Sequence, residues 1–563
     1  MISGQAIAKQ GLDERQWAQA RQALAAGGAL DHLAADWGLS DGDDVLAAVA
    51  AELGFEIIDL ASTEADLGLL KDFPVKLIHQ YQVFPIAWDD DALTVATSNP
   101  FDLHALDAVA AATGWSVVPV LAPSLELNKL IKTHLGVGAE TVDGLMAQRE
   151  EVGGVEMLEE LDFDRSEASE EAQEASVVRL VNEILSEAVE ARASDIHIEA
   201  QGTGMKIRYR IDGVLQLQPM PPEINRFQAA IVSRLKIMAR LNIAEKRIPQ
   251  DGRIKLKVSG REIDIRLSII PMLHGEGMVM RILDKDRMNF SLQGVGMDAD
   301  VHEEFTRLIE LPHGIILVTG PTGSGKTTSL YSALNQIKSE EIKIITTEDP
   351  VEYQLDGINQ IQVHTKVGLT FAASLRSILR HDPDVVLVGE IRDLETAENA
   401  IQASLTGHLV FSTLHTNDAA GAFMRMVDMG VEPFLVSSTV AGVMAQRLVR
   451  VLCTECRVPY TPEPDDVPAD FPMDRLHAEG GTLYQPGGCR RCRGKGYTGR
   501  LGLFELLVAN DQIRHLASER VASHKLKEVA VASGMRTLRQ DGWQKVLRGQ
   551  TTIDEVMRVT GAD

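Results

Sequence analysis

Residues 314–329 read Gly314-Ile-Ile-Leu-Val-Thr-Gly320-Pro-Thr-Gly-Ser-Gly325-Lys326-Thr327-Thr328-Ser329, and this stretch decides the fold of the C-terminal half. An apolar run of strand length enters a glycine loop, and a segment with helical spacing, Lys326 to Ile337, leaves it. The loop fits GxxxxGK[ST] in the strand-before, helix-after setting that the motif requires. In that setting backbone N–H groups cradle phosphates at a helix N-terminus. The expected nucleotide contacts are Thr322, Gly323, Ser324, Gly325, Lys326, Thr327 and Thr328. Lys326 would neutralise the β- and γ-phosphates of ATP, and the Thr327 hydroxyl would ligate Mg²⁺.

Outward from the loop, further strand-length runs recur at residues 343–349 (KIITTED), 384–390 (DVVLVGE) and 408–414 (HLVFSTL), each followed by a helix-like segment. Strand–helix alternation of this kind predicts a mainly parallel sheet with helices on both faces. Such a fold binds ligands at the C-terminal edge of its strands. DVVLVGE has the shape of a Walker B segment but ends in Gly-Glu, so Glu390 is read as touching metal or water indirectly. TTEDPVE places Glu348, Asp349 and Glu352 after another strand; a solvated turn at Asp-Pro is the alternative. His408 and His415 bracket the run LVFSTL, and each reads either as a site residue or as a structural hydrogen-bonder.

At 563 residues the chain is too long for one core. Residues 1–142 read as an N-terminal unit, helical at first and then α/β. Between Asp143 and Glu174 twelve Asp/Glu stand against two Arg, a net of −10, so 143–175 reads as a flexible acidic linker. Residues 176–290 alternate at period two around helical segments, as an α+β domain does, and 291–563 hold the strand–helix repeat. No apolar run approaches the roughly 20 residues needed to span a bilayer, and the N-terminus lacks a hydrophobic signal region. A cytoplasmic protein that meets a membrane only through partners is expected. The formal charge of −26 and the 5% aromatic content speak against a nucleic-acid motor, although a local basic stripe stays open.

All four cysteines fall in two CxxC pairs, Cys453/Cys456 and Cys489/Cys492, within a module at 450–497. That spacing reads as a four-thiolate Zn²⁺ site, the alternatives being unrelated thiol pairs or a redox pair.

GPTGSGKTT, TTEDPVEY, LVGEIRDLETAE and TGHLVFSTLHTNDA, in this order, resemble the GspE/PilB group of type II secretion and type IV pilus assembly ATPases. ASDIHIE, RYRIDGVL, RIPQDGRI and the four-cysteine segment extend the resemblance from about Ser176 to the C-terminus. The resemblance implies a RecA-like P-loop domain, an α+β PAS-like domain before it and an N-terminal docking domain. It further implies a homohexamer peripheral to the cytoplasmic face of the inner membrane. That ring would drive pseudopilus assembly through a polytopic platform protein, with pilus extension as the alternative. Glu390 would activate water, Glu348, Asp349 and Glu352 would assist with metal and water, and His415 would sense the γ-phosphate. Arg208 and Arg210 are arginine-finger candidates, with strand-surface charge as the alternative. Met272 stands where the family commonly has Thr. Residues 27–38 (GGALDHLAADWG) lack the Arg-Leu-Gly with which some relatives bind cyclic di-GMP, so docking of a membrane partner's cytoplasmic domain is expected instead.

Overall fold

The computed structural model describes residues 12–25, 30–37, 39, 42–60, 63, 65–71, 73–89, 92–135, 155–157, 175–284, 291–478 and 480–561. The chain divides into two compact units, Met1–Asp284 and Lys285–Asp563. No helix among the described residues is long and apolar enough to cross a membrane.

The first unit opens with helices Glu14–Ala25, Asp31–Trp37 and Gly42–Leu53. Strands β1 (Val83–Asp89) and β2 (Ala92–Thr97) form an antiparallel pair, and β3 (Ser116–Leu121) lies parallel to β2. Helix Leu103–Thr113 makes the crossover; the Asp102 carboxylate caps its start, and Gly114 ends it at φ 73°, a conformation glycine adopts without strain. Phe84, Ile86, Val95, Val109 and Ile131 form the core beneath this sheet.

A second sheet in the same unit contains β4 (Val155–Met157), β5 (Ala193–Gln201), β6 (Gly204–Ile211), β7 (Val214–Leu217), β8 (Gln250–Val258), β9 (Arg261–Met272) and β10 (Gly275–Asp284). Its order is β4-β8-β9-β10-β5-β6-β7. Helices Ala175–Glu190 and Gln228–Met238 cover one face, where Leu180, Ile184 and Leu235 pack on Ile196, Ile198, Ile254 and Ile265. Burial on alternate strand positions follows from the two-residue repeat. The linker reading of 143–175 needs correction at β4, which pairs antiparallel with residues 256–258 and supplies backbone partners to an otherwise open edge of β8. Residues 143–154 and 158–174 of that segment lie outside the described residues.

The second unit begins with helix Ala299–Ile309 and builds a seven-stranded sheet. In chain order its strands are β11 (Gly314–Thr319), β12 (Ile344–Glu348), β13 (Asn359–Gln362), β14 (Val385–Val388), β15 (Leu409–Leu414) and β16 (Val440–Leu452). After a small ribbon of β17 (Val458–Tyr460) and β18 (Leu483–Gln485), β19 (Tyr497–Val508) completes it. The order is β13-β12-β14-β15-β11-β16-β19, parallel throughout except that β19 runs antiparallel to β16. Alternation within β11 divides two cores. Ile315 and Leu317 join Leu375, Ile401 and Phe423 on one face, while Ile316 and Val318 join Phe305, Leu330 and Leu334 on the other. Each fully buried aliphatic side chain contributes about 1.5–3 kcal/mol, so this strand is fixed by both layers.

Candidate functional site

The turn after β11 requires glycine at two points. Gly320 has φ 148° and Gly325 φ 89°, and a Cβ at either would lie 2.6 Å from the Gln446 carbonyl or 2.8 Å from the Gln446 amide nitrogen. β16 thus forms the floor of the loop, and the Ser329 hydroxyl donates to Gln446 Oε1 at 2.8 Å to hold helix Lys326–Ile337 on it. Lys326 Nζ donates to the Gly320 and Pro321 carbonyls at 2.8 and 3.2 Å, folding back across the loop mouth. Burial pushes the Lys326 ammonium below its ordinary range, against the pull of Glu390, and nearby Arg447 pushes it further. A cation so placed gains most from a polyanion. The Ser324 hydroxyl is buried, with no hydrogen-bond partner among the described residues. Backbone cradle, under-compensated lysine and orphan hydroxyl together fit the phosphates of ATP, and the exposed Thr327 hydroxyl is free of the core for a Mg²⁺ ion.

Glu390 follows β14 at the same edge. Arg392 approaches one of its oxygens at 2.5 Å, and His415 Nε2 lies 3.5 Å from the other. The corner is braced from both sides: Gly389 N–H donates to Thr347 O at 2.8 Å, and the Thr413 hydroxyl to Gly389 O at 2.7 Å. Glu390, with Asp349 adding, holds the Arg392 guanidinium above its usual range. His415 follows β15, where Thr319 Oγ1 accepts from Thr416 N–H at 2.8 Å and so ties the histidine loop to the phosphate strand.

The other predicted residues fall less evenly. Glu348 is buried; its Oε2 accepts from Tyr331 OH, and its Oε1 from the Thr346 hydroxyl at 2.6 Å and the Gln360 amide at 3.0 Å. Its carboxylate is therefore built into the sheet, while Asp349 is exposed and Glu352 half-buried. His408 belongs elsewhere. It precedes Leu409, which pairs with Gly314 at the start of β11, whereas the phosphate loop follows Thr319, which pairs with Leu414. At roughly 3.3 Å per residue a six-residue strand separates His408 from the site edge by about 20 Å. Its Nδ1 meets Ala403 O at 2.9 Å and Thr406 Oγ1 at 3.1 Å, a structural role at the opposite end of the sheet. Arg208 and Arg210 lie on β6 in the first unit. There Arg208 pairs with Glu199, and Arg210 stands 3.8 Å from Asp195 and donates to Gly213 O at 3.0 Å.

The four cysteines converge in the second unit, their Sγ atoms all within 4.8 Å of one another. Cys453–Cys489, Cys456–Cys492 and Cys489–Cys492 separations are 3.7, 3.6 and 3.8 Å. A tetrahedron of 2.3 Å metal–sulfur bonds has edges of about 3.8 Å, so the set fits one metal ion. Burial raises the Cys492 thiol, but N–H groups of Cys489 and Gly496, at 3.2 and 3.1 Å from its sulfur, lower it to about 6.

A sequence model described as Type II/IV secretion system protein matches residues 170–558. The chain belongs to this family. A second model, described as MshEN domain, matches residues 53–141. "Type II secretion system protein E" of Xanthomonas campestris pv. campestris is 45% identical over 91% of this chain and 89% of its own length. "Type IV pilus assembly ATPase PilB" of Myxococcus xanthus is 40% identical over 92% of this chain and 90% of its own. Among solved structures, the Legionella pneumophila ATPase DotB is 20% identical, covers 68% of this chain and 96% of its own, and superposes with a TM-score of 0.50, a likeness of fold.

Family and geometry together make the chain an ATPase. Two contributors were given no role from the sequence. Arg392 was within reach, two residues after Glu390. Arg447, which donates to Gln446 O at 3.1 Å and Asn417 O at 2.9 Å, carries no local signature; only the pairing of β16 with β11 brings it to the loop.

Proposed function

We propose that this ATPase works as a homohexameric ring that couples ATP hydrolysis to assembly of a type II secretion pseudopilus and protein export. The placement of Glu390 and His415 at the edge beside Lys326 carries the reading, supported by the similarity to type II secretion protein E. Lys326 and the N–H groups of 323–328 bind the phosphates, and Thr327 holds Mg²⁺. When bound, that ion neutralises charge growing on the β- and γ-phosphates. Glu390 orients and polarises the attacking water, with Arg392 holding its carboxylate in place. His415 contacts the γ-phosphate. Asp349 and Glu352 assist with metal and water, and Glu348 assists only by exchanging its protein donors. Arg208 and Arg210 act across subunits as arginine fingers after leaving Glu199 and Asp195. Zn²⁺ occupies the four-cysteine cluster as a structural ion. The N-terminal domain docks the cytoplasmic domain of an inner-membrane protein, which holds the ring at the inner face of that membrane beneath a polytopic platform protein.

Type IV pilus extension is the second reading, favoured by the 40% identity to PilB across nearly the whole chain. A deletion strain separates the two. Lost growth on an exoprotein substrate with intact twitching supports secretion; normal secretion with lost twitching overturns it.

A further inference from the structure

Glu505 is a buried carboxylate that the hydrolysis site does not use. It lies on β19 at 1% exposure, and burial pushes its carboxyl above the usual range while the Ala419 N–H and Lys527 pull the other way. Its two oxygens serve different elements. Oε1 accepts from Ala419 N–H at 2.8 Å, and Oε2 accepts from Leu538 N–H at 3.3 Å. Ala419 closes the loop that starts at His415 and precedes helix Ala420–Asp428; Leu538 is the first residue of helix Leu538–Leu547.

Among the described residues that loop has three other tethers: Thr416 N–H to Thr319 Oγ1 and Arg447 Nη2 to Asn417 O, each within 3 Å, and Lys527 Nζ at 3.7 Å from the Asp418 carboxylate. The first two come from residues beside the phosphate loop. The Lys527 and Glu505 tethers lead away from it, Lys527 gripping a side chain and Glu505 the backbone of the loop. Just before helix Leu538–Leu547, Arg536 pairs with Asp300 and with Asp298, which begin the second unit's first helix. We infer that Glu505 is a positioning residue for ATP hydrolysis: its carboxylate fixes the His415–Ala419 loop, and so the reach of His415 to Glu390, against the helix Leu538–Leu547.

The inference rests on the role given to His415 above. Glu505→Gln keeps the shape but has one acceptor oxygen, so one of the two N–H groups must face an amide nitrogen. Losing one hydrogen bond to a charged group predicts about a tenfold fall in kcat, with KM for ATP within about twofold because the phosphate loop is untouched. The deciding measurement is a double-mutant cycle in ATP turnover with His415→Ala. If Glu505 acts through His415, adding Glu505→Gln to His415→Ala changes kcat by less than about twofold; a merely structural role lowers kcat by the same factor in both backgrounds. Unchanged kcat in Glu505→Gln, or additive losses, overturns the inference. Unchanged turnover in His415→Ala overturns it together with the role of His415, which separates the two failures. If Glu505→Gln does not melt cooperatively, Ala419→Pro deletes the same donor from the loop side, at a φ of −71° that suits proline, and the same outcomes apply.

Discussion

Removing one oxygen atom, by Tyr331→Phe, tests whether Glu348 belongs to the frame or to the chemistry. Tyr331 is wholly buried on the helix that starts at the phosphate loop, and its hydroxyl is the only donor to Glu348 Oε2 among the described residues. Thr346 and Gln360 keep Oε1 satisfied in the variant. No side-chain volume of consequence is lost, so the cost is at least that of the hydrogen bond to the Glu348 carboxylate, about 1.5–3 kcal/mol, with the bonds from the Glu352 and Tyr353 N–H groups lost besides. Urea denaturation should show a lower midpoint at unchanged slope. The pH dependence gives an independent check. Burial, with the Glu348 charge adding, holds the Tyr331 phenol above its ordinary range. A phenol that stays protonated in the fold but ionises in the unfolded chain contributes stability that is complete below about pH 10 and declines above it. Wild type should lose stability above pH 10 more steeply than Tyr331→Phe. A loss below about 0.5 kcal/mol, or parallel curves above pH 10, would refute the account of Glu348 as a residue held by three donors.

Glu390→Gln should still bind ATP, read by fluorescent-nucleotide titration, while turnover falls by about 10²–10⁴-fold. His408→Ala should leave turnover within about twofold, since its ring serves the opposite sheet edge, whereas His415→Ala should lower it at least about tenfold. Cys489→Ser should reduce bound metal, measured by elemental analysis, from about one ion per chain and lower the melting temperature. Lys545→Met removes the buried Asp541's partner at 2.5 Å but leaves it Arg536 at 3.2 Å and the Phe504 N–H at 3.0 Å, and should cost about 1.5–3 kcal/mol in chemical denaturation.

The phosphate loop was legible because its chemistry is local: glycine at Gly320 and Gly325, a lysine and a hydroxyl must be neighbours in sequence to surround one phosphate chain. The two histidines show where local reading ends. His408 and His415 bracket the same strand, and nothing in LVFSTL says which end faces the nucleotide; the parallel register of β15 on β11 does. Glu348 shows a second limit. Its motif places it at the correct edge, but its donors Tyr331 and Gln360 come from a helix and a strand on either side of it in sequence, and only packing unites them. Gln446, Arg447 and Glu505 come from the two strands added last to the sheet, more than a hundred residues after the loop they support. The acidic segment misled because charge density was weighed over the short alternation Val155-Glu156-Met157, which is enough to pair as an edge strand.

β16 carries the phosphate-loop floor at Gln446 and runs straight into Cys453, with β19 beside it from Phe504 back to Tyr497. At the far end Cys453 N–H donates to Gly496 O at 2.9 Å, so the metal cluster closes the ribbon as a clasp closes a strap. Fraying that starts at the cysteines must unpair Leu452 from Tyr497 and Arg450 from Arg500 before it reaches Gln446 and Phe504. Seven residues of strand, about 23 Å, therefore stand between thiol chemistry and nucleotide chemistry. The cluster is thus a remote terminator of the same ladder on which the ATP site is built, and the first rungs released when it opens are the ones farthest from the nucleotide.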